Sequence, residues 1–234
     1  MNNNIQAVSI IIPVFNEVST IKALLMAVQN ADTCGLKKEI IVVDDGSTDG
    51  TRDILKKFNV VKVIFHDYNQ GKGAAIRTGM KHATGDIILI QDADLEYNPS
   101  EYPLLLQPIL DKKASVVYGS RFSHGRSFHK NMYYSHAIGN FLLSACTSIL
   151  YFSKIEDMET GYKVMKKDVA LSLNLKSSRF DIEPEITAKI LKKGISIHEV
   201  PITFQPRSFH EGKKISWKDG LIALWTLIKW RLKN

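Results

Sequence analysis

Gly85-Asp86-Ile87-Ile88-Leu89-Ile90-Gln91-Asp92-Ala93-Asp94-Leu95-Glu96 is the stretch from which the rest of the chain can be read. Its four consecutive apolar residues, Ile87 to Ile90, have the pattern of a strand buried on both faces. The strand runs straight into two carboxylates spaced i, i+2, and a backbone turning there aims both at one point. Acidic side chains beside an apolar run are costly unless a cation meets them. A hard divalent ion holding a diphosphate is the natural partner, because Mg²⁺ takes one or two carboxylates plus substrate phosphates. Taken alone, the Asp-x-Asp is short enough to be an acidic turn after a buried strand.

Two further strands end the same way. Val8 to Val14 leads into Phe15-Asn16-Glu17, and Glu39 to Val43 leads into Asp44-Asp45-Gly46-Ser47. Three buried-type strands, each finishing in polar residues before a helix start, imply one shared rim. In open α/β sheets, ligands sit outside the carboxyl ends of the strands. The alternation of strand and helix over the first ~120 residues predicts a parallel sheet covered on both faces.

Working outward, residues 17–30 carry Ile21, Leu24, Leu25 and Val28 at helical spacing, with Ser19 or Thr20 as the cap. A third strand spans Val60 to Phe65. Asn69-Gln70-Gly71-Lys72-Gly73 opens a helix over 74–83 but is no Walker A loop, since neither Ser nor Thr follows the lysine. Lys72 is read either as a phosphate contact at a helix N-terminus or as a surface lysine. Asn98-Pro99-Ser100-Glu101 starts a helix, and Ser115 to Tyr118 form a strand ending in Arg121, a candidate anion contact.

The second half changes character. No Asp, Glu, Lys or Arg occurs from Asn131 to Ser153, where Ile138, Leu142, Ala145, Ile149 and Phe152 fall at helical spacing. Intervening Ser, Thr and Asn make this an amphipathic helix. A short strand at Lys163 to Met165, a helix opening at Phe180-Asp181-Ile182-Glu183-Pro184-Glu185, and a strand over Ile195 to Phe204 follow. The last helix runs from about Ser216, with Trp217, Leu221, Leu224, Trp225, Ile228 and Leu232 on one face and Lys218, Lys229 and Lys233 on its flank. That is the pattern of a helix lying in a membrane interface. The alternative is that this face packs on the protein's own core, and both hold if Trp225 turns inward.

The 234 residues suit one large α/β domain, with 44% apolar and 24% charged residues. A net charge of +7 suits phosphates, an anionic membrane or nucleic acid. No motif that reads DNA or RNA is present, so nucleic acid ranks last. Cys34 and Cys146 lack metal-ligand spacing and suggest a reducing compartment. The start, Met1-Asn2-Asn3-Asn4, has no basic region and does not read as a signal peptide. No apolar run is long enough to span a bilayer. There is no Gly-x-Gly-x-x-Gly after the first strand, which argues against a nicotinamide-dependent oxidoreductase.

Taken in order, SIIIPVFNE (9–17), IIVVDDGSTDGT (40–51), NQGKGAAIRTG (69–79), GDIILIQDADLE (85–96), YGSRF (118–122), DMETGYK (157–163), RFDIEPEI (179–186), EVPITFQPR (199–207) and EGKKI (211–215) resemble the family-2 glycosyltransferases of GT-A fold. Within that family they look like the dolichyl-phosphate mannose synthase group and its bacterial polyprenyl-phosphate relatives. The resemblance implies one GT-A domain over residues 1–234, with a nucleotide-sugar half at 1–122 and an acceptor half at 123–234. It implies an inverting enzyme that moves a mannose- or glucose-type sugar from a GDP- or UDP-sugar to a polyprenyl phosphate, using Mg²⁺ or Mn²⁺. The site would lie at the cytoplasmic face of the cell membrane, with the protein attached peripherally.

By the same resemblance, Pro13, Glu17 and Asp45 would hold the nucleoside, and Asp92 and Asp94 would be the metal-binding pair, with Asp94 the direct ligand. Glu96 stands where the group can add a third ligand, often Gln, so its role stays open. Arg121 would meet the acceptor phosphate. Arg207 and Lys213 would sit on the donor diphosphate or acceptor phosphate in a mobile loop. Asp157 and Glu159 would lie in the acceptor region, unless they form a solvated loop that orients Lys163. Two other readings stand beside this one. The first is a transferase acting on a sugar hydroxyl in surface polysaccharide or glycolipid synthesis, for which a carboxylate must take the proton. The second is a silent nucleotide-binding or membrane-docking module, against which the intact Asp92, Asp94 and Arg207 argue.

Overall fold

A computed structural model describes residues 5–59, 61–122, 134–207 and 217–233. Seven strands form one sheet: β1 (Ala7–Val14), β2 (Lys37–Asp44), β3 (Lys62–Phe65), β4 (Ile87–Ile90), β5 (Val116–Ser120), β6 (Lys163–Lys166) and β7 (His198–Pro201), in the order β3-β2-β1-β4-β6-β5-β7. Strand β1 pairs parallel with β2 and with β4, so their carboxyl ends lie side by side. The polar residues after Val14, Asp44 and Ile90 therefore share one rim, as the three strand endings foretold.

The parallel order breaks once. Strand β6, from the second half of the chain, runs antiparallel between β4 and β5. Both of its edges are used, and Val164 and Met165 are fully buried.

Helices cover both faces. On one, α1 (Ile21–Asn30) and α4 (Tyr102–Leu110) bury Leu24, Leu25, Leu105 and Ile109 against Ile10, Ile12 and Val42. On the other, α3 (Lys72–His82) and α7 (Ile182–Lys192) bury Ile76, Met80, Ile186 and Ile190 against Ile11, Ile41 and Ile88. Neighbouring β1 residues thus enter opposite cores, which is why the strand is apolar without alternation. The short α2 (Thr51–Leu55) and α6 (Lys167–Ser172) close loops between strands.

Some local expectations shift. Thr20 is the N-cap of α1, but its hydroxyl serves Glu17, donating to Oε2 at 2.9 Å, and makes no cap bond. Asn98 caps as expected, accepting from the Ser100 amide, and a single turn (Pro99–Glu101) precedes α4. The strand expected over 195–204 is only β7. Past Pro201 the backbone bonds become irregular: the Ile202 amide still donates to the Ser120 carbonyl, but the Thr203 amide donates to the Glu101 carboxylate.

The two helices expected at a membrane, α5 (Tyr134–Tyr151) and α8 (Trp217–Leu232), pack on each other and on α7. Their joint core is Tyr151, Ala188, Leu191, Leu227 and Trp230. Helix α8 turns Ala223, Thr226, Leu227 and Trp230 inward. The face bearing Leu221 and Trp225 turns outward, and Trp225 is 65% exposed, so the inward tryptophan is Trp230. Ile138, Phe141, Leu142 and Ile149 of α5 are exposed as well. Among the described residues no helix is long and apolar enough to cross a membrane.

Candidate active site

A cavity of about 460 Å³ opens at the carboxyl rim of the sheet. Pro13, Glu17, Asp45, Lys72, Asp92, Asp94, Glu96, Arg121, Glu159 and Arg207 all line it. Ten of the expected site residues, drawn from distant parts of the chain, thus meet in one place. Asp157 is buried behind the wall, and Lys213 lies outside the described residues.

The Asp-x-Asp rests on a rigid base. Gln91 is fully buried, and its Oε1 accepts from Tyr102 and Tyr162 at 2.9 and 2.8 Å. Tyr97 stacks on Tyr162 and Phe204. The turn itself holds Leu95 at φ 64°, a conformation rare for a leucine, which brings Asp94 and Glu96 to the cavity together. Burial, then the neighbouring Asp92 and Glu96, raise the Asp94 carboxyl to about 7.

Arg207 answers that crowding. Its guanidinium reaches Glu17 at 3.0 and 3.1 Å and Asp94 at 3.2 Å, while its amide donates to Glu96 at 2.8 Å. A cation among three carboxylates is where a divalent ion would be at home. Among the described residues no three His, Cys, Asp or Glu side chains converge as a full metal cage. A Mg²⁺-type site does not require one, since phosphate oxygens complete it. The donor set therefore fits Mg²⁺ or Mn²⁺, which Asp94 and a neighbouring carboxylate would hold.

Lys72 bonds to protein carboxylates. Its ammonium lies 2.7 Å from Asp92 and 2.9 Å from Glu183, and these anions outweigh burial and hold it well above its usual range. The close approach that its flanking glycines allow is made by the chain itself. A Cβ on Gly71, which sits at φ 98°, would strike the Ser178 carbonyl. The Asp45 carboxylate accepts the Gln70 and Gly71 amides at 2.9 and 2.7 Å and meets His66 at 2.7 Å, so it fixes this loop from the cavity wall.

On the far wall, Arg121 makes a two-pronged pair with Asp157, both contacts at 2.7 Å, and stacks between Phe122 and Phe204. Asp157 is fully buried and also accepts from Asn140. It belongs to no solvated loop, and it holds Arg121 in place. The segment does orient Lys163, whose ammonium bonds the carbonyls of Met158 and Thr160. Glu159 faces the cavity, and burial raises its carboxyl to about 7.

Glu183 was read only as part of a helix opening. It lines the cavity and pairs with both Lys72 and Lys163. The one signal was a lysine, Lys163, amid residues otherwise fit for burial, which demands a buried anion somewhere.

The glycosyl transferase family 2 model matches residues 9–173. The UDP-N-acetylglucosamine–dolichyl-phosphate N-acetylglucosaminyltransferase of Methanococcus voltae is 32% identical over 214 residues, covering 82% of this chain and 83% of that protein. The dolichol-phosphate mannosyltransferase of Pyrococcus furiosus is 32% identical over 232 residues, covering 95% of this chain and 64% of that one. Among solved structures, glucosyl-3-phosphoglycerate synthase from Mycobacterium tuberculosis, in complex with Mn²⁺, uridine diphosphate and phosphoglyceric acid, superposes with a TM-score of 0.72 at 20% identity. That match covers 97% of this chain and 79% of the other. The shared architecture is the GT-A fold.

Proposed function

The chain belongs to glycosyl transferase family 2, and we propose that it carries a hexose from a GDP- or UDP-sugar to a polyprenyl phosphate at a membrane surface. The observation that carries this reading is one cavity lined by Asp92, Asp94 and Glu96 together with Arg121 and Arg207. The carboxylates suit the metal-bound diphosphate of a donor, and the guanidiniums suit a second phosphate. The dolichyl-phosphate acceptors in the relatives' names support the same choice.

In the proposed reaction an oxygen of the lipid phosphate attacks the anomeric carbon. The bond from that carbon to the diphosphate breaks, configuration inverts, and the nucleoside diphosphate leaves. A bound Mg²⁺ or Mn²⁺ would offset the charge growing on the leaving group. Pro13, Glu17 and Asp45 line the nucleoside end, and Arg207 moves from its carboxylates to phosphate. Arg121, braced by Asp157, directs the acceptor. No proton has to be removed, because the nucleophile is already an anion.

The outward faces of α5 and α8 would meet lipid. Trp225, Leu221 and Phe141 are exposed, Lys229, Arg231 and Lys233 lie at the carboxyl end of α8, and Arg231 sits over the rings of Tyr151 and Phe152. Asp219, in the first turn of α8, lines the cavity, so this helix links the apolar face to the site. A chain so placed would serve an acceptor whose tail stays in the bilayer.

One observation favours a second reading, transfer to a hydroxyl. Glu159 faces the cavity with its carboxyl raised to about 7, the range of a general base. The M. tuberculosis structure contains the soluble phosphoglyceric acid. Both readings are tested by incubating the protein and Mn²⁺ with a panel of nucleotide sugars and three acceptors: a short polyprenyl phosphate, phosphoglycerate and a free sugar. Mass spectrometry should find glycosylated polyprenyl phosphate. Product on phosphoglycerate or free sugar alone would replace the lipid reading with the second.

A further inference from the structure

Four charged side chains run in a line from the core to the cavity. Lys163 Nζ, fully buried on β6, lies 2.6 Å from Glu183 Oε2 on α7. Glu183 Oε1 lies 2.9 Å from Lys72 Nζ at the start of α3, and that ammonium lies 2.7 Å from Asp92 Oδ1 at the end of β4. The line alternates in sign, with two cations and two anions, so it is neutral as a whole. Its outer member is the first carboxylate of the Asp-x-Asp.

The other oxygen of Asp92 is enclosed too. A Cβ on Gly161 would collide with Asp92 Oδ2, so the glycine backbone packs directly against that oxygen. Asp92 therefore has one oxygen bound to an ammonium and the other against backbone. Asp94 and Glu96 are met by Arg207 instead.

We propose that Glu183 is a positioning residue. Backed by Lys163, it holds Lys72 against Asp92, cancels that carboxylate's charge, and leaves the divalent ion to Asp94 and Glu96. This rests on the metal reading above and adds a division of labour within it. A charge buried in a core is retained only when paired, and here the pairing reaches the cavity through Glu183 and Lys72, which line it.

The test is Mn²⁺ binding by electron paramagnetic resonance, without nucleotide or acceptor. Lys72→Met removes a positive charge beside the site and frees Asp92, so Mn²⁺ should bind at least about threefold more tightly. Glu183→Gln removes the anion behind Lys72, raises the local charge, and should loosen Mn²⁺ by a similar factor. Glu183→Asp keeps the charge and should stay near the parent value. Should Glu183→Gln alone not fold, the Lys163→Met/Glu183→Gln double, which leaves no unpaired buried charge and the same net charge, is read in its place and should loosen Mn²⁺ by a smaller factor, because the lost anion stands nearer the cavity than the lost cation. Opposite shifts from two members of one ion-pair line are not what loss of packing produces. Shifts of the same sign, or none, in folded variants would overturn the inference. If the unsubstituted protein binds no Mn²⁺ at all, the metal reading fails and takes the inference with it.

Discussion

Arg207 is bound to Glu17 and Asp94, whereas the proposed transfer would need it on phosphate. Arg207→Ala should lower kcat/KM by the worth of one charge-assisted bond to phosphate. That is on the order of 1.5–3 kcal/mol, roughly ten- to a hundredfold. Steady-state kinetics of the folded variant would check it, and unchanged values would reduce Arg207 to a surface residue. Asp94 and Arg121 could be picked out from the chain alone, because acidic or basic residues directly after apolar strands are conspicuous, whereas Arg207, six residues past the end of β7, enters only through the family resemblance. Glu183 could not. Its partners Lys72 and Lys163 lie on other elements, and no local pattern joins a glutamate in a helix's first turn to a lysine inside a strand. The burial of Asp157 was equally hidden, since DMETGYK is as polar as any exposed loop until Arg121 closes over it.

Helix α8 separates two kinds of apolar residue. Leu227 is fully buried against α5 and α7, whereas Trp225 points outward. Leu227→Ala should cost about 2–5 kcal/mol of stability through the cavity it leaves. Trp225→Ser should leave the melting temperature nearly unchanged and release the protein from liposomes carrying anionic lipid at low salt. Thermal melts and liposome sedimentation on the two variants check both. If Trp225→Ser destabilises as Leu227→Ala does, the outward face is core. Helical periodicity marked α1 correctly down to Ile21, Leu24, Leu25 and Val28. For α8 it found an apolar face without its direction, because Ala223, Thr226 and Trp230 make an equally usable inner face. The position of β6 was beyond periodicity altogether: two apolar residues between lysines, Val164 and Met165, carry no sign of which two strands they will separate.

Among the described residues, two groups of carboxylates are shifted in opposite directions. Burial first, with like-charged neighbours behind it, raises Asp94, Glu159 and Glu199 to about 7. Hydrogen bonds and cations outweigh burial to hold Glu39, Glu183 and Glu185 below their usual range. A raised carboxyl binds its proton more tightly when folded, so the stability it lends is present at low pH and lost as pH rises from about 4.5 towards 7. The lowered group is ionised in both states across that window and adds no slope there. Without metal, the protein should therefore melt lower at pH 8 than at pH 5, by at least the 2 °C or so that about 1 kcal/mol produces in a chain of this size. Mn²⁺ should shrink the difference by holding Asp94 ionised. A melting temperature that rises from pH 5 to pH 8 would contradict the assignment.

The claim that joins these scales is a metal-dependent transfer of sugar onto a lipid phosphate. Its most direct measurement follows a nucleotide sugar radiolabelled in the sugar, mixed with the full chain and a short polyprenyl phosphate, then partitioned between organic solvent and water. The account predicts that label enters the organic phase only with Mg²⁺ or Mn²⁺ present, and that Asp94→Asn, still folded by circular dichroism, loses most of it. Label reaching the organic phase at full rate in excess chelator, or staying in water under every condition, would contradict the account.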